Sequence, residues 1–131
     1  MLRELLVKNI VLIESLNINF KHGLSVFTGE TGAGKSILLD SIGLILGNRV
    51  DFNLIRNNEN EASVTAIFEI DKTHPVIKLL DKYNIHYDNE LIIRREIKND
   101  GKSKCLINDI LITRNVLMEI TDNLIELQGQ F

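Results

Sequence analysis

Eight residues, Gly29-Glu30-Thr31-Gly32-Ala33-Gly34-Lys35-Ser36, constrain this chain more than any other stretch. They spell Gly, four residues, then Gly-Lys-Ser. A short apolar run, Leu24-Ser25-Val26-Phe27-Thr28, leads in, and a longer one over residues 37–46 leads out. Strand, glycine-rich loop and helix in that order match a phosphate-binding loop. Gly29, Gly32 and Gly34 allow backbone angles that a Cβ would penalise and let amides approach an anion closely. Those N–H groups, with the positive end of the following helix, form a nest for phosphate. Lys35 would reach the β- and γ-phosphates of a nucleoside triphosphate, and Ser36 would place its hydroxyl on Mg²⁺. Glu30 and Thr31 mainly shape the loop, and Ala33 completes it.

The 131 residues are 44% hydrophobic and 25% charged, an ordinary globular composition with enough length for one core. A net charge of −3 with no long basic run argues against strong nucleic-acid binding by electrostatics alone. The one cysteine, Cys105, allows no internal disulfide and reads as a small buried hydrophobe on a strand. The apolar run over 37–46 is too short to span a membrane and contains Asp40. Arg3, Glu4 and Lys8 break up any signal-peptide core. The expected compartment is the cytoplasm, with no membrane partner.

Residues 1–9 read as a strand, 10–13 as an apolar patch and 16–20, which alternate, as a half-buried strand. Residues 24–28 read as a parallel core strand. The helix over 37–46 is apolar around most of its circumference, so it belongs against a sheet, with Gly47 as its cap. Residues 48–60, including Arg49 and Arg56, form a polar loop. Residues 63–71 alternate. The run Ala66-Ile67-Phe68-Glu69-Ile70-Asp71 has the outline of an ATPase acidic strand, but its alternation predicts an antiparallel strand instead. Pro75 opens a helix over 75–83 with Thr73 near the cap and Val76, Leu79, Leu80 and Tyr83 on one face. His74 and His86 read as surface residues without a partner.

Residues 91–98 and 103–107 flank Asn99-Asp100-Gly101-Lys102 and read as a hairpin. Asn108-Asp109 turns into Ile110-Leu111-Ile112. Arg94, Arg95, Lys98, Lys102, Lys104 and Arg114 make this the most basic region; the solvated face of a hairpin is favoured over a phosphate-contacting patch. Thr113 caps a helix to about residue 123, and residues 124–127 are expected to start a new strand.

In order, Leu2-Arg3-Glu4-Leu5-Leu6-Val7-Lys8-Asn9, the phosphate loop, Leu46-Gly47-Asn48-Arg49, Leu91-Ile92-Ile93-Arg94-Arg95, Ile107-Asn108 and Ile125-Glu126-Leu127-Gln128-Gly129-Gln130 resemble the N-terminal part of bacterial RecN-type DNA repair ATPases, relatives of the SMC proteins. The resemblance covers all 131 residues. It implies an α/β fold: the N-terminal lobe of an ABC- and SMC-type P-loop ATPase head, with a mixed sheet and an antiparallel β subdomain. It implies ATP and Mg²⁺ as ligands, a head completed by a C-terminal half or engaged with a second head, and DNA contacted only through the full assembly. It implies a glutamine loop at the end of the chain. RecN-type proteins usually carry His-Gly-Gln where Gln128-Gly129-Gln130 stands here, so Gln128 and Gln130 both remain candidates for γ-phosphate and Mg²⁺ contact. Arg56 sits about where SMC-type heads place a phosphate-contacting arginine; a plain loop arginine is the equal alternative. Asn108-Asp109 replaces an Asn-Gly turn.

Within these residues there is no signature motif, acidic strand or coiled coil. The expectation is a nucleotide-binding lobe that does not turn over ATP alone. Half of a split ATPase, a remnant without a role, or another P-loop class such as a transporter ATPase or small kinase are the alternatives.

Overall fold

Alternation at every second residue builds a six-stranded sheet. Along β3 (Glu61–Glu69), Ala62, Val64, Ala66 and Phe68 are buried while Ser63, Thr65 and Ile67 are half-buried. β4 (Glu90–Lys98) follows the same rule with Leu91, Ile93, Arg95 and Ile97 facing inward. The computed structural model describes residues 1–20 and 32–128. Within these, β1 (Leu2–Ile10), β2 (Ile13–Asn19), β5 (Ser103–Ile107) and β6 (Ile110–Ile112) complete a sheet of order β2-β1-β3-β4-β5-β6. Every pairing in it is antiparallel. β3 lies between β1 and β4, antiparallel to both, so its acidic residues do not end a parallel core strand. The parallel strand expected over residues 24–28 lies outside the described residues.

Two turns set the register at the β4–β5–β6 end. Gly101 takes φ +92, its amide donates to Lys98 O at 3.1 Å, and Lys98 N donates to Lys102 O at 2.9 Å. This is a tight turn followed by a glycine in the left-handed region, a favoured three-residue hairpin loop. Asn108 and Asp109 both have positive φ, 49° and 66°, as a two-residue hairpin of that hand requires. Asn108 does more than turn. Its Oδ1 accepts from Ile92 N and its Nδ2 donates to His86 O, both at 2.8 Å.

Among the described residues three α-helices accompany the sheet: α1 (Gly32–Ile45), α2 (Val76–Lys82) and α3 (Arg114–Gln128). α1 packs on β1, β3 and β4, while α3 packs on β5 and α2. Ile42, Ile45, Val76, Leu80, Leu117, Ile120 and Leu124 join Leu5, Val7, Val64, Leu91, Ile93 and Ile107 in one core. Each such side chain taken fully out of water contributes about 1.5–3 kcal/mol.

α3 corrects one expectation. The strand expected over residues 124–127 does not form; these residues continue the helix to Gln128. Thr113 does cap it, its Oγ1 accepting from Val116 N at 3.2 Å. Buried Leu117, Ile120 and Leu124 then keep helical spacing. No Gly or Pro interrupts residues 114–128, so a four-residue β-like run extends the existing helix. α2 forms as expected, within a residue at each end, but Thr73 does not cap it. The Thr73 amide and hydroxyl both donate to Asp71 Oδ1, and His74 Nδ1 accepts from Val76 N at 3.0 Å. His74 is therefore the cap, not an unpartnered surface residue.

Candidate functional site

The site is read from α1 outward. Gly32, Ala33, Gly34, Lys35 and Ser36 form its first five residues, so their backbone amides belong to a helix start, where donors lack intrahelical partners and the dipole is positive. Ser36 is exposed, which leaves its hydroxyl open to a ligand. The Lys35 side chain and all of Gly29, Glu30 and Thr31 lie outside the described residues. Among the described residues no group of three His, Cys, Asp or Glu side chains converges.

The two halves of α1 differ in exposure. Ser36, Leu39 and Asp40 are exposed, whereas residues 41–45 are all buried. Ser41 turns its hydroxyl back to Ile37 O at 2.8 Å. Gly47, at φ +94, ends the helix as expected: Asn48 N reaches Gly43 O at 3.0 Å and Gly47 N reaches Leu44 O at 3.2 Å, the paired bonds of a Schellman cap. A Cβ on Gly47 would lie 2.4 Å from Met118 Cγ, so α3 presses directly on the cap.

Arginines fill the rest of this end. Arg95, 1% exposed, donates from Nη1 to Leu44 O at 2.8 Å and Asn48 O at 3.1 Å. Arg114 Nη1 donates to Gly47 O at 2.9 Å. The buried Thr121 hydroxyl lies 3.4 Å from Leu46 O and 3.3 Å from Met118 O of its own helix, so its one proton is shared between them. Positive charge at a helix carboxyl end is favourable. Desolvation nonetheless pulls the Arg95 guanidinium below its ordinary pKa, with Cys105 opposing and Arg114 adding to the fall. Its Nε is buried without a hydrogen-bond partner.

The solvated-hairpin reading of the basic region is therefore corrected for Arg95, whereas Arg94 is half-exposed beside Glu96 at 3.7 Å. A sequence signal for this existed. Leu91, Ile93, Arg95 and Ile97 fall on one face of a strand, and that alternation assigns Arg95 to the core side. Cys105 pairs across from Arg95. Burial pushes its thiol up, as expected of a small core residue.

Arg56 stands apart from α1 in sequence, on the loop that follows a single 3-10 turn, Phe52–Leu54. Its backbone is fixed to the β1–β2 turn: Arg56 N donates to Asn9 O at 2.8 Å, Val11 N to Leu54 O at 2.7 Å, and Ile10 bridges Ile55. Asn9 and Val11 hold φ of 55° and 52°, a strained choice for a β-branched residue. The Arg56 guanidinium meets Glu59 at 3.7 Å and stays half-exposed. Gln128 ends α3, with its side chain outside the described residues, as is Gln130.

With this geometry in place, the kinship of the chain is informative. A profile of the AAA domain family matches residues 4–130. The chain is 42% identical over 131 residues to the DNA repair protein RecN of Halalkalibacterium halodurans and 41% identical over 131 residues to that of Bacillus subtilis. Each alignment covers 99% of this chain and 23% of the relative. The chain thus spans about a quarter of the length of these relatives. The fold is similar to a chain solved in work on ATP-driven dimerization and DNA-stimulated activation of SMC ATPases. That match has a TM-score of 0.74 at 24% identity and covers 93% of this chain and 78% of that one. It is similar also to the recombination mediator protein RecF, with a TM-score of 0.65 at 19% identity, covering 89% and 29%. At these identities the two structures establish the fold alone, one shared with an SMC ATPase chain and with RecF. Among the described residues no helix is long and apolar enough to cross a membrane. By sequence the chain is RecN-like along its whole length, and it belongs to the AAA domain family.

Proposed function

We propose that residues 1–131 form one lobe that binds ATP with Mg²⁺ for a RecN-like ATPase of DNA double-strand-break repair in the cytoplasm. The observation that carries this is the run Gly32-Ala33-Gly34-Lys35-Ser36 at the amino end of α1, in a chain aligned with RecN proteins over 99% of its length. ATP brings the phosphoryl chemistry and Mg²⁺ the charge neutralisation. The chain's own residues bind and orient. The α1 amides face the phosphates, Lys35 adds a point charge to them, and the Ser36 hydroxyl offers oxygen to the metal. Gln128 or Gln130 and Arg56 are assigned to the γ-phosphate side. A second half of the pocket, from a C-terminal segment or a second head, holds the far side of the nucleotide, and DNA meets the assembly rather than this lobe.

Replacing Lys35 with Ala removes a charge-assisted contact worth about 1.5–3 kcal/mol, or roughly 10- to 150-fold in affinity. Titration of both forms with a fluorescent ATP analogue and Mg²⁺ measures it; equal affinities would remove the loop as the site. The 131-residue chain should release no phosphate above the Lys35→Ala background, with or without duplex DNA, because its sequence carries neither an acidic strand for the attacking water nor a signature motif for the far side of the nucleotide. Turnover lost in Lys35→Ala would show a complete site and overturn the half-site reading.

A further inference from the structure

We propose that Arg95 and Arg114 are positioning residues for the nucleotide site, acting through the carboxyl end of α1. This rests on the phosphate-loop reading above. α1 has 14 residues, so its ends lie about 20 Å apart. Towards its amino end Ser36, Leu39 and Asp40 are exposed and Ile37 and Leu38 pack only partly against the core, whereas residues 41–45 are all buried, so α1 is held more firmly at its carboxyl end. A small rotation or slide at that end displaces Gly32–Ser36 at the other.

Apolar burial alone does not set that register, because it is non-directional. The directional contacts are polar, and they come from two separate elements. From β4, Arg95 grips Leu44 O and Asn48 O; from α3, Arg114 grips Gly47 O and Thr121 approaches Leu46 O. The Schellman bonds supply Leu44 O and Gly43 O with local partners already. The Arg95 contact to Leu44 O therefore adds orientation relative to the sheet rather than closing the helix, and those to Asn48 O and Gly47 O tie the residues just past it to β4 and α3. An apolar side chain between Ile93 and Ile97 would fill the position without burying a charge or leaving Nε unpartnered. α3 also carries Gln128 at its far end, so the same grip fixes the amino end of α1 relative to the segment leading to the candidate glutamines.

The test compares Arg95→Met, Arg95→Lys, Arg114→Met and Ile97→Val in the 131-residue chain, with the parent and Lys35→Ala alongside. Affinity for a fluorescent ATP analogue with Mg²⁺ is read well below each melting temperature, with melting recorded separately. Ile97→Val loosens the same strand without touching α1's carbonyls. Arg95→Met and Arg114→Met should weaken binding by about tenfold, the order expected when an intact site is displaced. Arg95→Lys should recover part of the loss, since an ammonium still donates to one carbonyl, and Ile97→Val should bind as the parent does. Should Arg95→Met not fold, half-exposed Arg114 carries the same comparison. Parent-like binding by the Met variants, or an equal loss in Ile97→Val, overturns the proposal while leaving the nucleotide site intact. A parent that binds no better than Lys35→Ala refutes the phosphate-loop reading, and this proposal with it.

Discussion

α1 and α2 end in the same backbone motif, yet different parts of the molecule hold them. At α2, Asn84 takes φ +57, Ile85 N reaches Leu80 O at 2.8 Å and Asn84 N reaches Asp81 O at 3.2 Å. Its start is closed two residues away by His74. At α1 the same pair of bonds around Gly47 is overlain by Arg95, Arg114 and Thr121. These side chains stand 47 to 75 positions along the chain from the carbonyls they meet. The ends of α2 are thus closed by its own neighbours, although Val76 and Leu80 join the shared core and Tyr83 and Lys82 reach Glu119 of α3. α1 is completed by β4 and α3, so its geometry reports on the packing of the whole lobe. The second arrangement suits the proposed role of α1, whose amino end would aim amides at an anion.

The sharpest way to separate the two helices is to strain each cap. Gly47→Ala puts an L side chain at φ +94 and drives its Cβ to 2.4 Å from Met118 Cγ. The two effects together should destabilise the lobe by about 2–4 kcal/mol, measured by urea denaturation. Pairing it with Met118→Ala should return the steric part and leave the conformational part. Gly47→Ala should also weaken ATP-analogue binding in the fraction that remains folded. If the double variant is no more stable than Gly47→Ala, contact with α3 is not what constrains this end.

Asn84→Ala is the matched change at α2. Asn84 already carries a Cβ at φ +57, so the change removes only asparagine's local preference for the left-handed region, less than about 1 kcal/mol, and should leave nucleotide affinity untouched. A fall in affinity comparable to that of Gly47→Ala would erase the distinction between a local helix and an anchored one.

How much of this was legible in the sequence follows the same division. Structure set by neighbouring residues could be read directly. Gly101 and Asn108-Asp109 gave the hairpins, the alternation of β3 gave an antiparallel strand, Gly47 gave the α1 cap, and Thr113 gave the start of α3. The phosphate loop is a reading of eight consecutive residues, of which the structure places Gly32–Ser36 at the start of α1. Structure set at a distance was harder. Counting Arg95 with its charged neighbours grouped it with a solvated face, although the two-residue period of Leu91, Ile93 and Ile97 already placed it inside. The strand expected over 124–127 failed because four β-prone residues were weighed without the helix already propagating into them. His74 was missed as a cap because an imidazole accepting a backbone N–H leaves little trace in composition.

That last contact gives a similarly small effect and a pH signature of its own. His74 caps α2 only when Nδ1 is unprotonated, because a protonated ring has no lone pair to accept from Val76 N. Burial lowers its pKa from the ordinary 6.5, the Met1 ammonium adds to the fall, and Asp71 opposes it. A base with a depressed folded pKa is neutral in the folded state where the unfolded chain begins to take up a proton. Its contribution is therefore present above pH 6.5 and is lost as pH falls through the folded value. At pH 8 the cap should contribute about 0.5–1 kcal/mol. The stability gap between parent and His74→Ala, taken from urea denaturation at each pH, should be largest at pH 8 and close by pH 5. Taking the difference cancels the carboxylate titrations common to both proteins. A gap that stays constant across this range would mean that the ring stabilises α2 by packing alone. A Lys35→Ala background should not alter it, since α2 is closed by its own neighbours.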